Sequence, residues 1–206
     1  MVLPAVFAIR EYNISIIRGK IERADETGKG RREKEDGRWA EDSFYLLPST
    51  VCLSTNMNHI QYMTAALIEA RKAVSTGDIP IGAVAVHEGK IVARAHNEKE
   101  KRGDATAHAE LLCLQRAAKK LGTWRLYGIT MYTTLEPCPM CAGAMVLARI
   151  KELVYAAKDP KAGAAGSIMN LVKNKKLNHR IKITKSVLEQ ESSSLIKDFF
   201  NGLRKK

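Results

Sequence analysis

His108 and Glu110 stand two residues apart in Thr106-Ala107-His108-Ala109-Glu110. Cys138 and Cys141 stand three apart in Pro137-Cys138-Pro139-Met140-Cys141. Residues three apart on a helix share a face, so the two sulfurs of this C-x-x-C can bite one metal ion. Thiolate is the ligand form, and a helix N-terminus favours it through unpaired N–H groups and the helix dipole. One histidine with two cysteines is a zinc-type set that leaves the fourth tetrahedral position open to water. Zinc lowers the pKa of bound water toward about 7, and an unligated carboxylate beside it can shuttle the proton. Glu110 would not share a face with His108 in mid-helix, but from a first turn it can reach the open position.

Taken singly, each piece has a plainer reading. A C-x-x-C also suits a redox pair or half of a structural zinc site. The other half would need two more cysteines. Cys52 lies in an N-terminal leader and Cys113 falls mid-helix, where a buried core thiol is the natural reading. His108 alone reads as a satisfied histidine. The ordered combination H-x-E, then P-C-x-x-C, turns these pieces toward one metal site. His59, His87, His96 and His179 have no partnering motif and read as surface or structural. Trp39 and Trp124 support no stacking platform.

The elements that must position this set alternate from Met57 onward. Tyr62, Met63, Ala66, Leu67, Ala70, Ala73 and Val74 recur at helical spacing, and Gly77 and Pro80 end the helix. Ile81 to Val86 and Ile91 to Ala95 read as strands around a Glu88-Gly89-Lys90 turn. A polar loop, Asn97 to Asp104, leads into a helix from about Ala107 to Leu121. Ile129 to Thr134 reads as a strand, Cys138 to Ala148 as a helix and Glu152 to Ala157 as a strand. After the loop Gly163-Ala164-Ala165-Gly166 come a short strand, Ile181 to Thr184, and a final helix, Leu188 to Leu203. This order implies an α/β fold with a mixed sheet flanked by helices.

The 206 residues carry 34 Lys+Arg against 22 Asp+Glu, a net charge of +12. Ordinary globular composition excludes a disordered or fibrous chain, and no apolar run reaches the ~18 residues of a membrane span. Residues 1–56 hold nine basic and nine acidic residues, so the whole excess lies in 57–206. The polar stretch 20–42 has little hydrophobic periodicity and reads as mobile. The domain is therefore expected over 57–206, behind an extension that is either a genuine arm or a mis-assigned start ahead of Met57. The short apolar run at the N-terminus has no preceding charge, which points to a cytoplasmic protein. Residues 149–206 hold 14 basic and five acidic residues, with Lys173, Lys175, Lys176, Arg180, Lys182 and Lys185 clustered. Such a run is most often a solvated face. Next to a site of this chemistry it becomes a candidate surface for phosphate contacts.

From residue 58 to about 204 the chain resembles the zinc-dependent nucleoside deaminases, and more closely the bacterial tRNA adenosine deaminases. The motifs are Ile79-Pro80-Ile81-Gly82-Ala83-Val84, Asn97, Thr106 to Glu110, Thr134-Leu135-Glu136-Pro137-Cys138 and Met140 to Met145. Asp159, Gly163 to Ser167, Asn178-His179-Arg180 and Phe199-Phe200 extend them. The resemblance implies a cytidine deaminase-like three-layer α/β/α fold with a mixed five-stranded sheet. It implies one zinc ion held by His108, Cys138 and Cys141, and Glu110 as the catalytic proton shuttle. It further implies deamination of adenosine to inosine at the wobble position of a tRNA anticodon stem-loop. Asn97 would help hold the flipped base, and Asp159 lies in the segment that approaches the RNA. A homodimer is implied as well. Residues 1–56 have no counterpart and inherit no role. Two rivals remain: a guanine or nucleotide deaminase acting on a small substrate, and a non-catalytic zinc RNA-binding protein. The basic excess speaks against the first, and the unligated Glu110 against the second.

Overall fold

A computed structural model describes residues 55–204, with side chains from residue 59. The extension expected over 1–56, with Trp39 and Cys52, therefore lies almost wholly outside the described residues. The first helix, α1 (Thr55–Val74), buries Met63, Ala66, Ala70 and Ala73 along one face. Gly77 stops it in the left-handed region (φ +76°). Strands β1 (Gly82–His87) and β2 (Lys90–His96) form a hairpin in which His87 pairs with Lys90. Its loop residues Glu88 and Gly89 both have positive φ, 48° and 73°. That is the two-residue turn whose twist matches the flanking strands.

A four-residue helix, α2 (Lys99–Arg102), occupies what reads in sequence as a polar loop. Its formation is non-local. The buried Asp78 carboxylate accepts the Glu100 N–H at 2.8 Å and the Lys101 N–H at 3.3 Å. Then follow α3 (Ala109–Leu121), β3 (Thr130–Leu135), α4 (Pro139–Leu147), β4 (Glu152–Ala157), β5 (Lys182–Thr184) and α5 (Glu189–Arg204).

The five strands form one mixed sheet in the order β2-β1-β3-β4-β5. β1 runs antiparallel to β2 and β3, whereas β3, β4 and β5 are parallel. Strand side chains alternate between two apolar clusters, as the two-residue period requires. Ala83, Ala85, Met131, Leu153 and Tyr155 pack with α3 and α4 on one face. Val84, Val86, Tyr132, Val154 and Ala156 pack with α1 on the other, where α5 also lies against the sheet. These are the three layers expected. Among the described residues no helix is long and apolar enough to cross a membrane.

Gly82 sets how closely α1 approaches the sheet. A Cβ there would lie 2.1 Å from the Ala66 carbonyl oxygen and 2.5 Å from the Ala70 nitrogen. Helix backbone cannot swing aside as a flexible side chain can. Gly82→Ala is therefore expected to cost about 3 kcal/mol and lower Tm by roughly 6–12 °C. Gly202→Ala in α5, where a Cβ meets nothing within 4 Å, should leave Tm unchanged or slightly raised. Calorimetry on the two variants checks the contrast, and equal melting temperatures would refute it.

Candidate metal centre

The sheet topology gathers the site at one edge. β1 is antiparallel to β3, so the start of β1, the end of β2 and the ends of β3 and β4 lie together. Crevices outside strand ends are the usual ligand sites of open α/β sheets. Asn97 follows β2, Cys138 follows β3 and Asp159 follows β4.

His108 and Cys138 are the N-cap residues of α3 and α4. Both are extended, at φ −76°, ψ 146° and φ −69°, ψ 171°. Neither side chain caps its own helix, so imidazole and thiol are free to point away. Pro139 at the first position of α4 lacks only an N–H that would have no intrahelical partner. The His108 Nδ1 atom lies 3.7 Å from Cys138 Sγ and 3.6 Å from Cys141 Sγ. All three donor atoms fall within 4.8 Å of one another, a group that can hold a metal ion. A single nitrogen nearly equidistant from two sulfurs is the arrangement a shared ion requires.

The electrostatics follow from this crowding. A hydrogen bond from the Cys141 thiol, with a second from His108, pulls the Cys138 thiol down to about 4 against the effect of burial. The same hydrogen bond to Cys138 raises the proton affinity of His108. The hydrogen bond of Cys141 to Cys138, together with burial, pushes the Cys141 thiol well above the ordinary thiol range. Glu110 sits in the first turn of α3 with 3% exposure, and its Oε2 has no hydrogen-bond partner. Burial pushes its carboxyl up to about 7. The carboxyl keeps hydrogen bonds to its own N–H and to Cys141, but a buried oxygen left without a partner is costly unless it has a task. Cys113 is a core thiol, as read from sequence; burial raises it to about 12.

A cavity of about 490 Å³ opens over this group, lined by His108, Glu110, Cys138, Asn97 and Asp159. Ile79, Ile81, Leu135 and Ala157 form apolar walls, and Lys99, Lys158, Lys161, Lys197 and Phe200 are also part of the lining. Asn97 is buried and its Oδ1 accepts the Ala109 N–H at 3.0 Å, which leaves its amide donors for a ligand. Asp159 lies on the cavity, but its Oδ1 accepts the N–H groups of Lys161 and Ala162 at 2.9 and 3.1 Å. It shapes the turn that it begins. None of the clustered residues from Lys173 to Lys185 lines the cavity. The lysines that do are scattered along the chain, two of them flanking Asp159 after β4.

A family profile described as MafB19-like deaminase matches residues 57–204. The tRNA-specific adenosine deaminase of Bacillus subtilis (strain 168) is 51% identical over 145 residues, 70% of this chain and 90% of the relative. The chain belongs to the tRNA-specific adenosine deaminase family. The Aquifex aeolicus (strain VF5) member is 43% identical over 143 residues, 69% of this chain and 94% of that one. A solved structure from a study of A-to-I editing by tRNA:A34 deaminases at the wobble position of transfer RNA aligns with a TM-score of 0.64 at 41% identity. The alignment covers 66% of this chain and 98% of that one. In this deaminase, then, the histidine–cysteine group and Glu110 sit in a family that shares the fold around them.

Proposed function

We propose that this deaminase removes the 6-amino group of adenosine at the wobble position of a tRNA anticodon stem-loop, leaving inosine and ammonia. The observation that carries the reading is Glu110 Oε2, buried and without a partner beside the three-donor group. His108, Cys138 and Cys141 would hold zinc. Zn–S of about 2.3 Å and Zn–N of about 2.0–2.1 Å at the tetrahedral angle separate nitrogen and sulfur by about 3.5 Å. The 3.6 and 3.7 Å found here fit that set. Zinc bound there supplies a water acidified enough to act as hydroxide at neutral pH.

The chain's own groups do the rest. Glu110 accepts a proton from the attacking water and passes it to the purine N1, then carries the proton of the new C6 hydroxyl to the departing amine, which leaves as ammonia. With its oxygen committed to Ala109, Asn97 presents N–H donors to the base. The apolar walls stack and exclude water around a flipped nucleotide. Lys99, Lys158, Lys161 and Lys197 offer cations at the mouth, where phosphates would pass. The active unit would be 57–206, of which the family profile matches 57–204. A homodimer would cover the exposed groove of Trp124, Leu147 and Leu177, and the enzyme would act in the cytoplasm.

One assay decides the substrate. An anticodon stem-loop with wobble adenosine, free guanine and deoxycytidylate are offered separately, with ammonia release and inosine measured. Turnover of the stem-loop alone is expected, with KM rising steeply with salt. Turnover of guanine or deoxycytidylate alone would overturn the RNA reading. Zinc content without any turnover would favour the non-catalytic rival.

A further inference from the structure

The geometry points to Glu136 as a positioning residue that locks the cavity rim to the segment carrying Cys138; this rests on the deamination proposed above. Glu136 follows β3 and is 2% exposed. It is not one of the three metal-type donors. Its Oε2 accepts the Asp159 N–H at 3.2 Å and the Ser167 hydroxyl. Its Oε1 accepts the N–H groups of Ala165 and Ser167 at 2.9 and 3.0 Å. A carboxylate has about four acceptor positions, so its capacity is fully used. Among the described residues no cation pairs with it.

Every donor to Glu136 comes from the stretch 159–167, which has turns and one isolated bridge, Ala165 to Asn170, but no strand or helix. Backbone bonds continue the seam. The Glu136 N–H donates to the Ala157 carbonyl at 2.8 Å, and the Ala164 N–H to that of Pro137 at 2.9 Å. Gly163 lies so close that a Cβ would sit 2.5 Å from the Glu136 Cδ. The tethered stretch carries Asp159, Lys161 and Ala162 onto the cavity, and Cys138 is two residues beyond Glu136. One carboxylate therefore sets the distance between the rim and the metal-type group. Because it grips backbone N–H groups, it fixes the path of the loop before any substrate arrives. Pre-organisation of this kind lowers the ordering cost of binding, so its loss should raise KM more than it lowers kcat.

Glu136→Gln replaces one acceptor by an NH2 group facing N–H or O–H donors. Wild type, Glu136→Gln and Ser167→Ala are compared by zinc content, hydrogen exchange of 158–167 and kinetics on the wobble-adenosine stem-loop. For Glu136→Gln, exchange of that stretch should speed up about tenfold or more. KM should rise about tenfold with kcat within about threefold, and zinc content should match wild type. Ser167→Ala, which keeps the carboxylate, should shift exchange in the same direction by less. Wild-type exchange and KM in a folded Glu136→Gln would overturn the inference. Should Glu136→Gln not fold, wild-type exchange in Ser167→Ala would overturn it, and faster exchange there would uphold it. An inactive wild type would instead sink the substrate reading, with exchange still deciding the tether.

Discussion

Replacing Glu110 by glutamine is expected to lower kcat by about 10²–10⁴-fold while zinc content stays at the wild-type level. Glutamine keeps the size of the side chain and removes its ability to take and give a proton. The structural cost should be small, because Oε2 has no hydrogen-bond partner to lose and the amide oxygen can keep the acceptor role toward the residue's own N–H and Cys141. The metal-free protein offers a second readout. Burial raises the Glu110 carboxyl to about 7, against roughly 4.3 in an unfolded chain. The folded state therefore binds the proton more tightly. Stability from this group is full below about pH 4 and falls as pH rises through the folded value near 7. Glu110→Gln should then stabilise the metal-free chain at pH 8 and not at pH 4, as read from urea midpoints. Inosine formation within about tenfold of wild type would remove Glu110 as the shuttle.

The grouping of His108, Cys138 and Cys141 was legible because it is written in local spacing, H-x-E and C-x-x-C. The order of strands and helices followed from their periods and punctuation. Element ends were less legible, and for a physical reason. The helix read from Ala107 begins at Ala109, and that read from Cys138 begins at Pro139. His108 and Cys138 lack the usual Ser, Thr, Asp or Asn signal of an N-cap. Their extended backbone is what turns their side chains away from the helix and toward each other. Helix α2 was invisible because Asp78, over twenty residues away, supplies its acceptors. The cavity lysines were missed because strand ends and α5 bring them together only in three dimensions, whereas the sequence run from Lys173 to Lys185 drew attention by proximity alone. Glu136 stood inside a recognised motif with no role. Its donors lie 23 to 31 residues onward, beyond any pattern of short period.

Cys138→Ser is expected to abolish zinc binding and turnover together, a loss that no rearrangement of the remaining donors should repair. Serine offers a hard hydroxyl where zinc is held by thiolate, and Cys141 with His108 would be left as a pair. The consequence for folding is as large. An ion that binds the native state at about 1,000 times its Kd stabilises by about 4 kcal/mol. Chelation of the wild type should then lower Tm by roughly 8–16 °C, with recovery on adding zinc. Cys138→Ser should melt near the chelated wild type and respond to neither chelator nor zinc. Full zinc occupancy in that variant would sink the ligand assignment. The chelation arm also separates this site from a redox C-x-x-C. A dithiol pair that works by exchanging electrons loses nothing when metal is withdrawn, and its reaction survives chelation. Here the low Cys138 thiol is explained by its two neighbours, Cys141 and His108, and His108 Nδ1 sits nearly equidistant from both sulfurs. A disulfide would bring the sulfurs to about 2 Å and leave that imidazole with no cation to share, together with the buried Glu110 beside it. The redox reading leaves both groups without a task, whereas one bound ion uses them both.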